Sequence, residues 1–207
     1  MSVADVQPSD ARRPLERIGA WAFAQRSWIP VPLALLLITV RWHWLRSGWL
    51  LATGLAMVIS GLGIRCWAVR HIGTISRTRS ARLGPMMSRG PFALVRNPLY
   101  VGNFLMWIGF AVSSGLLWMV PVAWAIFALQ YTAIIRFEEA ALTRHFGDAY
   151  VDYLRSVPRW ALHPGRLPAA LRDRGVHPWS EVAFSERGTL IAAAAVTALL
   201  LAKYRWG

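Results

Sequence analysis

From Asn97 to Ile135 the chain runs 39 residues without a charged side chain. As helix that run would measure roughly 58 Å at ~1.5 Å per residue, about twice the hydrocarbon core of a bilayer. Two crossings joined by a turn are the compact way to place it. Ser113-Ser114-Gly115 supplies the turn, because glycine tolerates positive φ and serine hydroxyls satisfy freed backbone groups. Three further apolar runs extend the pattern. Trp28 to Leu45 carries tryptophans at both ends, with Pro30 and Pro32 where a helix can begin. Gly48 to Ile64 has 17 uncharged residues, about 26 Å of helix, which nearly crosses a ~30 Å core. Gly188 to Ala202 has 15 residues, slightly short, and reads either as a fifth crossing or as an interfacial helix. Hydrophobic residues make up 56% of the chain, against ~45–50% in soluble domains. The expected fold class is all-α: a polytopic integral membrane helical bundle with about five transmembrane helices.

A formal charge of +13 would suit nucleic acid, but the arginines gather between apolar runs rather than along one soluble face. Reading residues 1–27, 65–96 and 136–187 as cytoplasmic places four, seven and eight of the 23 lysines and arginines on one side. Only Arg41, Arg46, Lys203 and Arg205 remain for the other. That asymmetry is what the positive-inside rule asks of an inner-membrane protein. Residues 1–27 have no apolar core followed by a cleavage site and read as a cytosolic tail rather than a signal peptide. Residues 28–160 then form a membrane core, with a cofactor region over 89–159, and residues 161–207 a cytosolic loop and a last membrane helix. Past Arg136, apolar residues from Phe137 to Val157 recur mostly three or four apart, which predicts an amphipathic cytosolic helix. Gly54, Ser60, Gly61 and Gly63 would let a second helix approach closely. Arg77, Arg79 and Arg82 either set topology or bind anionic lipid head groups at ~1 kcal/mol each. With one cysteine, Cys66, and five histidines scattered without ligand spacing, no metal partner is expected, nor nucleic acid. The expected partners are the membrane and a lipid or lipidated substrate.

The chemistry is expected at two polar patches flanking the uncharged run. The first is Gly90-Pro91-Phe92-Ala93-Leu94-Val95-Arg96-Asn97-Pro98-Leu99-Tyr100-Val101-Gly102. Its two prolines push their neighbours toward extended geometry, so a non-helical strap with free backbone groups is expected, facing a ligand or water. The second is Glu138-Glu139, the first carboxylates after Glu16. Acids at a membrane helix end need water or a partner, and Arg96 or Arg136 could be that partner; a solvated helix end is the plainer alternative.

In order and spacing these patches, with Arg136-x-Glu138-Glu139 and Phe146-Gly147-x-x-Tyr150-x-x-Tyr153-x-x-x-Val157-Pro158-Arg159, are similar to the integral membrane methyltransferases related to isoprenylcysteine carboxyl methyltransferase and phospholipid methyltransferase. The resemblance covers about Arg89 to Arg159. Asn97 stands where many members carry histidine, so no titrating imidazole is available there. The resemblance implies a methyltransferase that binds S-adenosylmethionine through Leu94, Val95, Arg96, Asn97, Pro98, Tyr100, Gly102, Glu138 and Glu139, with Arg96 and Glu138 as the catalytic pair. Arg96 would pair with the donor's carboxylate, one glutamate would hold its amino group or ribose, and Leu94, Val95 and Pro98 would wall the adenine. Tyr100 would offer an aromatic face to a cation. The implied acceptor is an isoprenylcysteine-type carboxylate. A phospholipid or other amphiphile amine is the alternative, with Glu138 as base. A transporter subunit or scaffold that keeps the fold without the cofactor is the competing class. No Gly-x-Gly-x-x-Gly follows a strand, which disfavours a soluble Rossmann methyltransferase.

Overall fold

The computed structural model describes residues 14–73 and 86–206; Arg77, Arg79 and Arg82, and residues 1–13 of the expected N-terminal tail, lie outside them. Eight α-helices follow in order: α1 (Pro14–Gln25), α2 (Pro30–Thr39), α3 (Gly48–Ile72), α4 (Pro98–Ser113), α5 (Met119–Phe146), α6 (Asp148–Ser156), α7 (Leu167–Arg172) and α8 (Trp179–Trp206). Among the described residues there is no strand. Three helices, α3, α5 and α8, are long and apolar enough to cross a bilayer, and α1 with α2 make a fourth unit bent by 50°. The 16-residue α4 is apolar but shorter. The fold is therefore an all-helical membrane bundle.

Its helices outrun the apolar stretches that announced them, because a helix stops at a breaker rather than at a charge. α3 continues through Arg65 and Arg70 to Gly73, whose φ of +70° ends it. At 25 residues it is ~38 Å long, so its last turns stand clear of a ~30 Å core. α5 likewise contains no glycine or proline between Pro121 and Gly147 and runs unbroken to Phe146. The expected amphipathic helix is thus two pieces, the end of α5 and the separate α6, divided by Gly147 at φ +58°. In the stretch expected as a tail, α1 packs on α5, with Ala22 buried and the ring of Phe23 6.2 Å from that of Phe137. The arginines and glutamate around it dilute the apolar signal of its buried face.

α3 and α4 meet along paired glycines. A Cβ on Gly61 would lie 2.5 Å from the Gly102 carbonyl oxygen, and one on Gly109 would lie 2.6 Å from that of Gly54. The four glycines repeat at a spacing of seven on each helix, so the two backbones touch at both levels. Gly63, by contrast, faces open space. α8 is tied to α3 by Arg65, whose Nε and Nη2 donate to the two Glu186 carboxylate oxygens at 2.8 Å each. Both side chains are largely buried. At the opposite end of α8, the buried Lys203 donates to the carbonyls of Leu37 and Val40, both at 2.8 Å, and so closes the C-terminus of α2.

Two outcomes follow for the purified protein in detergent. Gly109→Val forces a side chain against backbone that has no room to yield and should cost about 1–3 kcal/mol or more, read as a lower unfolding temperature. An unchanged temperature would contradict the glycine contact. Glu186→Gln leaves a buried guanidinium without its countercharge, a loss of roughly 3–5 kcal/mol, whereas Arg65→Met with Glu186→Leu should recover most of it. A single variant as stable as the parent would contradict the pair.

Candidate active site

The strap begins with one turn of 3-10 helix, Gly90–Ala93, started by Pro91, whose missing N–H costs a helix nothing in its first turn. Gly90 takes φ +54° directly beneath the His71 ring, leaving no space for a side chain. The free backbone groups expected here are mostly satisfied within the protein. Leu94 and Val95 N–H groups donate to Pro91, and the segment after α6 bonds along the strap's edge. Tyr153 Oη donates to Phe92 O at 2.8 Å, Arg96 N donates to Pro158 O at 3.0 Å, and His163 N donates to Leu94 O at 2.9 Å. Two side-chain donors remain unpartnered here: Arg96 Nε and Asn97 Nδ2 are buried without a hydrogen-bond partner. Buried donors of this kind need an acceptor from outside the chain.

Glu138 and Glu139 project from the C-terminal part of α5 toward different neighbours, since adjacent residues on a helix point ~100° apart. Glu139 faces the strap. Its Oε1 accepts from Arg96 Nη1 at 2.9 Å and its Oε2 from Arg159 Nη2. Two guanidinium groups on one carboxylate leave the cluster with a net positive charge and spare donors. Glu138 turns instead to α4, where its Oε2 accepts from Tyr100 Oη at 2.7 Å. The structure thus joins Arg96 to Glu139 and Tyr100 to Glu138. The sequence predicted that acids and arginine meet but not this division, and the second guanidinium comes from Arg159, while Arg136 is exposed.

The other predicted positions sort by burial. Leu94, Val95 and Pro98 are packed inside the protein, each less than 4% exposed. Gly102 lies one turn into α4 at the contact with α3, against Gly61 and the stem of Arg65. Tyr100 stacks edge-on against Tyr131 at 4.7 Å. Tyr150 and Tyr153 pack with Val157 under the strap. Burial pushes both phenols well above their ordinary range, so they stay protonated and serve packing and, for Tyr153, a hydrogen bond.

A second polar chain, invisible in the sequence, leads from Tyr131 into the bundle. Asn103 Nδ2 donates to Tyr131 Oη at 2.7 Å, and Asn103 Oδ1 accepts from Arg65 Nη1 at 2.6 Å. Arg65, Asn103 and Tyr131 form part of the wall of a cavity of about 520 Å³ between α2 and α8, floored by α3, α4 and α5. Its volume falls in the ~300–1,000 Å³ range of small-molecule sites. Among the described residues, no group of three or more His, Cys, Asp or Glu gathers to hold a metal. A site with spare cationic donors, a buried carboxylate and a neighbouring amphiphile-sized cavity can bind a zwitterionic cofactor and a lipid-like acceptor side by side.

Comparison with known proteins agrees with this chemistry. The phospholipid methyltransferase family model matches residues 49–149. The chain is 30% identical to the cobalt-zinc-cadmium resistance protein CzcN of Cupriavidus metallidurans, over 86% of this chain and 79% of that one. It is 28% identical to protein-S-isoprenylcysteine O-methyltransferase of Mus musculus over 65% of this chain and 48% of that one. It is 35% identical to methanethiol S-methyltransferase 2 of Bradyrhizobium diazoefficiens over 63% of this chain and 51% of that one. The chain therefore spans about half the length of these two enzymes. No solved structure matches. With the strap, the twin glutamates and the membrane bundle all inside or beside the matched region, the chain belongs to the phospholipid methyltransferase family of integral membrane methyltransferases.

Proposed function

We propose that the protein transfers the methyl group of S-adenosylmethionine to an acceptor carried by a lipid or lipidated molecule, at the cytoplasmic face of the inner membrane. The observation that carries this reading is the Arg96–Glu139–Arg159 cluster beside the unpartnered Arg96 Nε and Asn97 Nδ2. The donor's carboxylate fits those spare donors, since guanidinium and amide N–H groups bind carboxylates through charge-assisted bonds. Its amino group or ribose fits a glutamate oxygen, for which Glu139 stands beside the strap and Glu138 one helical step away. When bound, this cofactor supplies an electrophilic methyl group on a sulfonium. The protein's own part is placement: the strap, fixed by Tyr153, Pro158 and His163, holds one reactant while the cavity holds the other, and near-attack geometry supplies much of the acceleration. Closing the site against water also favours an anionic acceptor, whose charge and that of the sulfonium vanish together. An isoprenylcysteine-type carboxylate is the acceptor that the family suggests first. N-methylation of a phospholipid or other amphiphile amine is the second reading, supported by Glu138, a buried carboxylate at the junction of the two regions that can take up a proton. The orientation rests on the concentration of arginine at the strap end of the bundle.

Calorimetric titration of S-adenosylmethionine into the detergent-solubilised protein tests the donor site. Arg96→Ala and Asn97→Ala should each weaken binding by roughly tenfold or more, as loss of a bond to a charged group does, with helical content retained. Unchanged affinity in both variants would remove the strap from the donor site. Membranes incubated with methyl-labelled donor then report the acceptor: a base-labile volatile label marks a methyl ester, and a base-stable lipid label marks an N-methyl product.

A further inference from the structure

The polar end of the cavity contains two guanidinium groups in different electrical states. That of Arg65 is neutralised by its two bonds to Glu186 and fixed by Asn103. Arg26, at the break between α1 and α2, has no carboxylate partner among the described residues, although it too is half-buried and lines the cavity. Its Nη1 donates to the Phe23 carbonyl at 2.9 Å, and its guanidinium carbon lies 4.0 Å from the centroid of the Phe23 ring. A neutral carbonyl and a ring face orient the group without cancelling its charge. Glu138 lies within its electrostatic reach, but that carboxylate is held by Tyr100, forms no ion pair with Arg26 and does not line the cavity.

The surroundings match an anionic head on an apolar body. Tyr131 Oη accepts from Asn103, which leaves its own proton to donate. Below this end the walls turn apolar, with Leu33, Leu37, Met106, Trp107 and Ala193. A half-buried guanidinium with no carboxylate bonded to it is costly, and a ligand anion relieves that cost. Arg26 also lies outside residues 49–149 that the family model matches, so nothing in that match assigns it a role.

We propose that Arg26 selects the acceptor: its guanidinium pairs with an anionic head group of an amphiphile whose chain fills the cavity, so that anionic acceptors are taken and cationic ones refused. The α1–α2 break is then what carries specificity, because it holds this side chain at the mouth of the cavity rather than along a helix face. This rests on the methyltransferase reading for its biological meaning, but the binding preference is measurable without any methyl transfer.

The test uses the full chain in nanodiscs of zwitterionic lipid, titrated with four dodecyl probes: carboxylate, phosphate monoester, alcohol and amine. The carboxylate or the phosphate, or both, should bind roughly tenfold or more tighter than alcohol and amine, as expected of a charge-assisted pair, and their ranking separates a carboxylate head from a phosphate one. Arg26→Gln should reduce the preference to within about threefold, while Arg26→Lys retains part of it. Ala193→Trp, which fills the cavity and leaves Arg26 in place, should weaken all four probes together. Preference for the amine, or an anion preference that survives Arg26→Gln, would overturn the proposal. S-adenosylmethionine affinity measured on the same samples keeps the two ideas apart. If the parent protein binds the anionic probes but no donor, the methyltransferase reading fails and the Arg26 site stands. If Arg26→Gln loses donor affinity as much as probe affinity, Arg26 belongs to the donor site and the acceptor role falls.

Discussion

One carboxylate shared by two arginines organises the working end of this protein. Glu139 rides on the end of α5, Arg96 on the strap that precedes α4, and Arg159 on the segment that follows α6. Three pieces of chain that are remote in sequence are drawn to one point. Each ion would be unfavourable there alone, since the side chains of Arg96 and Glu139 are 16% and 12% exposed. Together they satisfy one another in part and keep donors to spare. The Tyr153 hydroxyl and His163 N–H, donating to Phe92 and Leu94, and the Pro158 carbonyl, accepting from Arg96 N–H, then hold alternate residues of the strap in place. A membrane protein can tolerate such irregular backbone only because protein covers it.

In the bundle behind the site the charged groups are tied to partners, while Gln130 of α5 and Ser185 of α8 are buried without one. α3 and α4 touch backbone to backbone at their paired glycines, which leaves no room for a side chain at those positions. Four polar residues that enter the bundle are chained: Tyr131 to Asn103, Asn103 to Arg65, Arg65 to Glu186. Lys203 performs the matching task at the far end, where helix carbonyls of α2 run out of donors. Arg26 differs from Arg65 in having no carboxylate bonded to it among the described residues, and this sets the cavity apart from a simple packing defect.

Much of this was legible in the sequence. The uncharged run predicted the α4–α5 hairpin, and the turn falls after Ser113 as expected. The strap and the twin glutamates were visible because charge is scarce in an apolar chain, so each exception is informative. Helix ends were read too early, since charges at 65, 70 and 136 mark where the membrane stops rather than where the helix does. Arg159 stood in the motif without a visible task, and its role depends on how α6 folds back over the strap. Arg65 and Glu186 are 121 residues apart, and no local pattern records such a pairing. Gly102 shows the reverse: it was read with the cofactor motif, yet it sits where α4 touches α3.

The central claim is that the strap and the end of α5 together form the donor pocket. Hydrogen–deuterium exchange of the full chain, with and without S-adenosylmethionine, addresses it without relying on a variant or an acceptor. Slower exchange in the presence of the donor over residues 90–100 and 157–163, with little change along α8, is the predicted result. Protection absent from both of those segments, or confined to α2 and α8, would contradict the account.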